Sequence, residues 1–210
     1  MGIGVAESAS TGRMSGPAFR AFQARRPDRE RWELIGGVAM MMTPPTIARS
    51  RIAGNLERLL NDALARHDPS RLANQRPGID LGSGDYKPEP DVGVIDAEYE
   101  AGQRFVERAN LLAEVVSETD NVLVPGTNEP WIDVKRRIYL DHEPCEAVVI
   151  IEQDRIEVRV DVKTDAGWRS HTLIGPQAEL TLPSFGLQCR VGDLYDSTPL
   201  QPRTVPGRTI

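Results

Sequence analysis

Three residues carry most of the chemical promise of this chain. Asp91 heads the apolar run "DVGVI" directly after Glu89-Pro90, and Glu114 lies inside "NLLAEVVS", flanked by Leu111, Leu112, Ala113, Val115 and Val116. An ionised carboxylate within such a run is costly unless it is paired, hydrogen-bonded or bound to a metal. If the two runs form neighbouring strands, both side chains project to one face, where a divalent cation best relieves their repulsion. A few hard oxygen ligands, with positions left for water or phosphate, suit magnesium. The third residue is Lys135. On a helical "WIDVKRRIYL", Ile132, Lys135 and Tyr139 share a face, so Lys135 leans toward the buried side while Arg136 and Arg137 lean away. Only Lys87, Lys135 and Lys163 are lysines among 25 basic residues, which makes the lysine here informative. An ammonium is a compact point charge whose proton affinity shifts on burial, and arginine offers neither property. Spacing alone also accommodates a lysine that snorkels from the edge of a helix face.

Two carboxylates and a lysine around a divalent ion form a site for hydrolysing a phosphodiester. The metal would lower the pKa of a bound water and neutralise charge on the phosphoryl oxygens; the lysine would orient that water or stabilise transition-state charge. Other chemistries lack support. His67, His142 and His171 are scattered without ligand spacing. Ser117 has no nucleophile-elbow pattern around it, and a hydrogen bond to a turn or to the metal's surroundings is its expected task. "GSGDY" at 82–86 lacks the following helix and the Lys-Ser/Thr of a phosphate loop and is expected to be a hairpin turn. Cys145 and Cys189 are expected to be small apolar residues rather than a disulfide or ligands.

The elements that must position these residues follow from periodicity. "RWELI", Gly36-Gly37 and "VAMMM" predict a hairpin, with Met40 to Met42 as strand or core residues. From Thr46 a 3.6-residue period places Ile52, Leu56, Leu59, Leu60 and Ala63 on one stripe, a helix that should stop near His67-Asp68-Pro69. "RPGIDLGSGDYKPEPDVGVID" predicts strand, turn and strand; "NLLAEVVSE" a buried strand; "WIDVKRRIYLDH" a helix; and "EAVVII", "RIEVRV", "WRSHTL" and "AELTLP" a C-terminal β meander. This order argues for a mixed α+β fold, a mixed β-sheet flanked by helices. Residues 1–18 are expected to be a disordered arm, 19–198 a single domain and 199–210 a tail. Between arm and hairpin, Arg20, Arg25, Arg26, Arg29 and Arg31 form either a solvated face or a nucleic-acid contact.

With 210 residues, 40% hydrophobic and 27% charged, the chain has the composition of a soluble globular protein. No apolar run approaches the roughly 20 residues that span a bilayer. The N-terminus lacks a basic segment followed by an apolar one, so a cytoplasmic setting is expected. A net charge of −6 argues against a generic nucleic-acid coat and leaves room for an enzyme with a locally basic contact face.

"RWELIGGVAMMMTPP", "KPEPDVGVI", "LLAEVVSETD", "KRRIYLDHEPCEAVVI" and "LTLPSFGLQCRVGDLYD" resemble the successive blocks of the Uma-two family of endonucleases, within the restriction-endonuclease-like PD-(D/E)xK superfamily. The resemblance covers roughly residues 28 to 197. It implies a restriction-endonuclease-like sheet with flanking helices, magnesium-dependent cleavage of DNA and a homodimer. Asp91 is similar to the superfamily's metal aspartate and Glu114 to its acidic partner. The usual lysine position two residues beyond the acid holds Val116, and Lys135 matches the helix lysine this family has instead. Glu33 in "WELI" matches an early glutamate that assists the metal. The chain departs from the pattern in a longer segment between Ser117 and Lys135, in Trp131 where an aspartate is common, and in Arg49 where a histidine is expected.

Two further functions compete with the nuclease. One is a domain of the same fold that has lost catalysis and works as a binding or assembly module, to which the acidic balance and substituted positions are also suited. The other is a hydrolase for a small phosphorylated substrate, which a narrow, uniformly acidic cleft would support.

Overall fold

The computed structural model describes residues 13–27, 29–81, 86–124 and 128–203. The chain opens with α1 (Gly16–Gln23), where Ser15 Oγ accepts a hydrogen bond from the Ala18 amide at 3.4 Å. This helix starts inside the expected 1–18 arm, for a local reason: Pro17 suits a first helical turn, and Phe19 is buried against Trp32, Leu34 and Ala39. The predicted hairpin follows as β1 (Trp32–Ile35) and β2 (Val38–Met41). Gly36 and Gly37 join them with φ of 58° and 82°, the left-handed pair that a tight turn between twisted strands requires.

Helix α2 (Ile47–His67) runs as its apolar period predicts. Thr46 caps it, its Oγ1 accepting from the Arg49 amide at 3.0 Å. It ends at Asp68, where Pro69 forbids another turn. Ile52, Leu56, Leu60 and Leu64 form its buried stripe, and truncating one of these leucines to alanine would cost about 2–5 kcal/mol.

The next strands are β3 (Arg71–Gln75), β4 (Gly78–Ile79), β5 (Val92–Asp96), β6 (Phe105–Val106) and β7 (Leu111–Val116). After them come α3 (Trp131–Leu140), β8 (Ala147–Glu152), β9 (Glu157–Thr164), β10 (Gly167–Ile174), β11 (Glu179–Leu182), β12 (Leu187–Arg190) and α4 (Val191–Leu194). Six strands form one mixed sheet in the order β10-β9-β8-β7-β5-β3. Only β7 and β8 are parallel within it, joined by α3 as a crossover. Helix α2 covers one face and α3 the other.

One strand was not expected, and two expectations need correction. The segment "RLANQ" forms β3, which apolar alternation did not signal because only Ala73 is buried; Asn61 holds it instead, exchanging two 2.9 Å hydrogen bonds with the Ala73 backbone. The strand expected at the head of "RPGIDLG" shrinks to β4, which pairs in parallel with β6 rather than with β5. The turn expected at 82–86 lies largely outside the described residues. The meander holds through β10, and then β11 leaves the main sheet and pairs with β12 beside α2.

Register decides what the sheet can do. β5 and β7 are antiparallel with Val92 opposite Ala113, so one step outward Asp91 stands opposite Glu114. Along β7, Leu111, Ala113 and Val115 pack on the α2 side, and Leu112 and Val116 on the α3 side. Glu114 therefore points toward α3. No described helix is long and apolar enough to cross a membrane.

Candidate active site

Asp91 sits one residue before β5, and its carboxylate is buried. Oδ2 accepts from the amide of Val115 at 2.8 Å, which ties the aspartate to the strand that carries Glu114. Glu114 is fully buried. Its Oε1 accepts from the Tyr139 hydroxyl at 2.6 Å and lies 3.2 Å from Lys135 Nζ. Its Oε2 is buried and has no hydrogen bond.

Lys135 points inward from α3, as its helical face predicts, and is itself buried. Nζ lies 3.0 and 3.1 Å from the two oxygens of Glu33 on β1. Glu33 Oε1 also accepts from the amide of Glu89 at 2.7 Å, so the β1–β2 hairpin is pinned to the segment leading into β5. Two carboxylates thus share one ammonium. Burial pushes Glu114 up to about 8 against the opposing pull of Lys135, and burial raises Glu33 as well. Burial alone would lower Lys135, but Glu114 and Glu33 outweigh it and raise its pKa. The lysine of the row Glu33, Lys135, Glu114 therefore stays charged between its two carboxylates. Tyr139 is pushed well above its ordinary value by burial and by Glu114, and it remains a hydroxyl donor.

Two members of the cluster carried no functional role in the sequence. Arg49, on the first turn of α2, donates from Nε to Asp91 Oδ1 and Oδ2 at 3.1 and 2.9 Å. Its Nη2 lies 2.8 Å from Asp91 Oδ2 and 3.6 Å from Glu114 Oε2, and its Nη1 donates to Asp120 Oδ2 at 3.0 Å. Asp120 is held in turn by the amide and hydroxyl of Ser117, at 2.9 and 2.6 Å. Ser117 thus serves a turn beside the cluster, as expected of it. Burial opposes the charge on Arg49, but Asp91, Asp120 and Glu114 raise its pKa and keep it cationic. The only trace of Arg49 in the sequence was its place where a histidine was expected. Asp120 gave no signal beyond its position after "SET".

Carboxylate oxygens are what magnesium takes, and Glu114 Oε2 is a buried oxygen with no hydrogen bond among the described residues, its nearest cation the Arg49 guanidinium that also holds Asp91. No group of three or more His, Cys, Asp or Glu placed to hold a metal ion occurs among the described residues. Glu33 lies across Lys135, paired with it. The residues thus fit a divalent ion in kind, with the Arg49 guanidinium standing between the two carboxylates.

Access to the cluster is narrow. A cavity of about 30 Å³, lined by Glu33, Arg49, Asp120, Lys135 and Met40 to Met42 at the end of β2, opens over it. Met40 to Met42 are therefore more than core residues. Arg136 does not simply lean away from the interior: it forms a bidentate pair with the fully buried Asp161, at 2.7 and 2.5 Å. His67 ends α2, His171 is exposed on β10, and buried His142 accepts from the Ala109 amide at 3.3 Å, so none of the three joins the site.

A protein family described as "Uma2: Putative restriction endonuclease" matches residues 17–192. Among solved structures, the chain is similar to a putative nuclease belonging to DUF820 from Anabaena variabilis, with a TM-score of 0.65 and 18% identity, over 87% of this chain and 97% of that one. At that identity the likeness speaks for the fold alone. No curated protein matches the sequence.

Proposed function

The chain belongs to the Uma2 family, and we propose from that premise that it is a magnesium-dependent endonuclease hydrolysing DNA phosphodiester bonds. The observation that carries the proposal is the pairing of Asp91 and Glu114 across adjacent strands, with Glu114 Oε2 free of any hydrogen bond among the described residues and Lys135 3.2 Å from the other oxygen. In this reading Asp91 and Glu114 would hold the ion. When bound, it supplies an activated water and neutralises charge on the phosphoryl oxygens.

The rest falls to the protein. Tyr139 fixes Glu114 through Oε1 and leaves Oε2 for the ion. Glu33 fixes Lys135. Because its neighbours keep Lys135 charged, it acts as a positive charge beside the phosphoryl group rather than as a base. Arg49 would have to release the two carboxylates before they could hold the ion, and a phosphodiester is a natural new partner for its guanidinium. We extend the reading to a homodimer in a cytoplasmic setting, which sedimentation and fractionation would check.

The test is a magnesium titration followed by thermal melting, then nicking of supercoiled plasmid, on the parent, Asp91→Asn and Glu114→Gln. A ligand that binds only the native state raises its stability by RT ln(1 + [L]/Kd). The expected result is a magnesium-dependent melting shift and nicking in the parent, both lost in the variants. Nicking by the variants at the parent's rate would overturn the assignment.

The position of Arg49 favours a second reading, a nuclease-fold domain that no longer cleaves and works as a binding module. A cation built into the chain satisfies the carboxylates without metal. Binding of DNA by the parent with no cleavage under any divalent ion would select it.

A further inference from the structure

A much larger cleft lies beside the carboxylate cluster, with a volume of about 700 Å³. Its walls come from α1 and the turn after it, the entry to β1, the corner between β3 and β4, and the loop into β6. It borders the site directly. The amide of Arg76 on its wall donates to the Asp91 carbonyl at 3.3 Å, and Glu89, also on the wall, donates its amide to Glu33.

The lining is basic: five arginines against the carboxylates of Glu30 and Glu89. Both carboxylates are already engaged, Glu30 by the Trp32 indole at 3.0 Å and Glu89 by Arg31. Arg76 and Arg104 have no ion pair or side-chain hydrogen bond among the described residues. Arg76 is half-buried and has φ of 54°, a left-handed conformation that an arginine adopts at a cost and that aims it from the corner after β3. Around it Arg31 and Arg49 oppose its charge, and the nearby carboxylates of Asp91 and Glu89 are each held by one of those arginines, so a half-buried guanidinium without an ion pair of its own is a group an anion would relieve.

Aromatic rings accompany the charges. Tyr99 is 63% exposed. Phe105 is half-buried, with the Arg20 guanidinium 5.9 Å from its ring centroid. Gly78 leaves room for one edge of that ring, since a Cβ there would come within 2.6 Å of Phe105 Cδ1. Arginines that follow a phosphate backbone, interleaved with rings on which bases stack, are the means by which proteins hold single strands. A duplex hides its base faces, and its surface would use only the charges. The volume also lies within the roughly 300–1,000 Å³ of clefts that engulf small organic groups, which suits a nucleotide or two rather than a double helix.

We propose that this cleft receives an unpaired stretch of DNA strand, with Arg76 and Arg104 on its phosphates and Tyr99 and Phe105 against its bases. The proposal rests on the nuclease reading and narrows its substrate to DNA carrying a single-stranded segment, fed from the cleft toward Asp91.

The test is fluorescence anisotropy in EDTA with labelled oligothymidylate and with a hairpin duplex of equal length. The proteins are the parent, the double variant Arg76→Ala/Arg104→Ala, Tyr99→Ala, and Asp91→Asn. The parent should bind the single strand about tenfold or more tighter than the duplex, a preference of the size that base stacking supplies. The double arginine variant should bind more weakly, with a log–log salt slope shallower by about 0.7 for each phosphate it no longer neutralises. Tyr99→Ala should lose affinity several-fold with an unchanged salt slope, because only stacking is removed. Asp91→Asn should bind at least as tightly as the parent. Equal affinity for duplex and single strand, or an unchanged affinity in the double arginine variant, overturns the proposal. Plasmid nicking that persists in either case would leave the nuclease reading standing, whereas single-strand binding without cleavage would do the reverse.

Discussion

Nη2 of Arg49 lies 2.8 Å from Oδ2 of Asp91, and Nε engages both oxygens of the same carboxylate. A carboxylate that would hold a metal is therefore clasped by a side chain from another element. Breaking a buried pair by removing one partner costs about 3–5 kcal/mol, because the remaining charge stays buried. Arg49→His should lower the melting temperature in EDTA and show a larger magnesium-induced rise than the parent, since the ion replaces the lost cation. Equal shifts in the two proteins would show that Arg49 and magnesium do not compete.

Lys135 and Glu33 form the second buried pair. Lys135→Met should destabilise the fold by about 3–5 kcal/mol, and adding Glu33→Gln should recover part of the loss. Urea unfolding of both single variants and the double variant closes the cycle. A coupling within about 0.5 kcal/mol, the additivity error for independent sites, would sink the pairing.

The hydroxyl of Tyr139 reaches Glu114 Oε1 at 2.6 Å. Groups that orient a metal ligand typically change affinity about 10- to 100-fold when removed. Tyr139→Phe should therefore raise the magnesium concentration for half-maximal nicking about tenfold, while circular dichroism stays that of the parent. An unchanged magnesium requirement would reduce this contact to packing.

His142 supplies a pH prediction away from the carboxylates. Its Nε2 accepts from the Ala109 amide, so that nitrogen must be unprotonated, and burial lowers its pKa from 6.5. Glu143 opposes this shift and Lys163 adds to it. The folded pKa lies below the unfolded one, so the native state binds fewer protons in this window. The contribution is present above pH 6.5 and is lost as pH falls through the folded value. Between pH 6.5 and about 5 the parent should lose more melting temperature than His142→Gln. Parallel curves would refute it.

How much of this was legible beforehand depends on how local each signal is. Asp91 and Glu114 stood out because a charge in an apolar run is anomalous within a few residues of sequence. Lys135 stood out because a helical period assigns it a face, and α2 announced itself by its stripe. Arg49 gave only the hint of an unusual residue type, since its meaning lies in partners 42 and 71 positions away. Strand β3 escaped because an edge strand with one buried residue has no alternation to read, and its anchor is the Asn61 side chain on a different element. Cleft-lining Arg76 and Tyr99 looked like ordinary loop residues until the fold set them around one cleft.

The antiparallel register that sets Val92 against Ala113 has a consequence for assembly. A slip of one residue would turn Glu114 toward α2, among Ala113, Val115 and the leucines of that helix, with neither Lys135 nor Tyr139 in reach. Such a mispaired sheet would strand a charge in hydrocarbon and fall apart. Strand pairing therefore acts as a proofreader: a molecule that completes its central sheet has, by the same event, brought its two acids face to face.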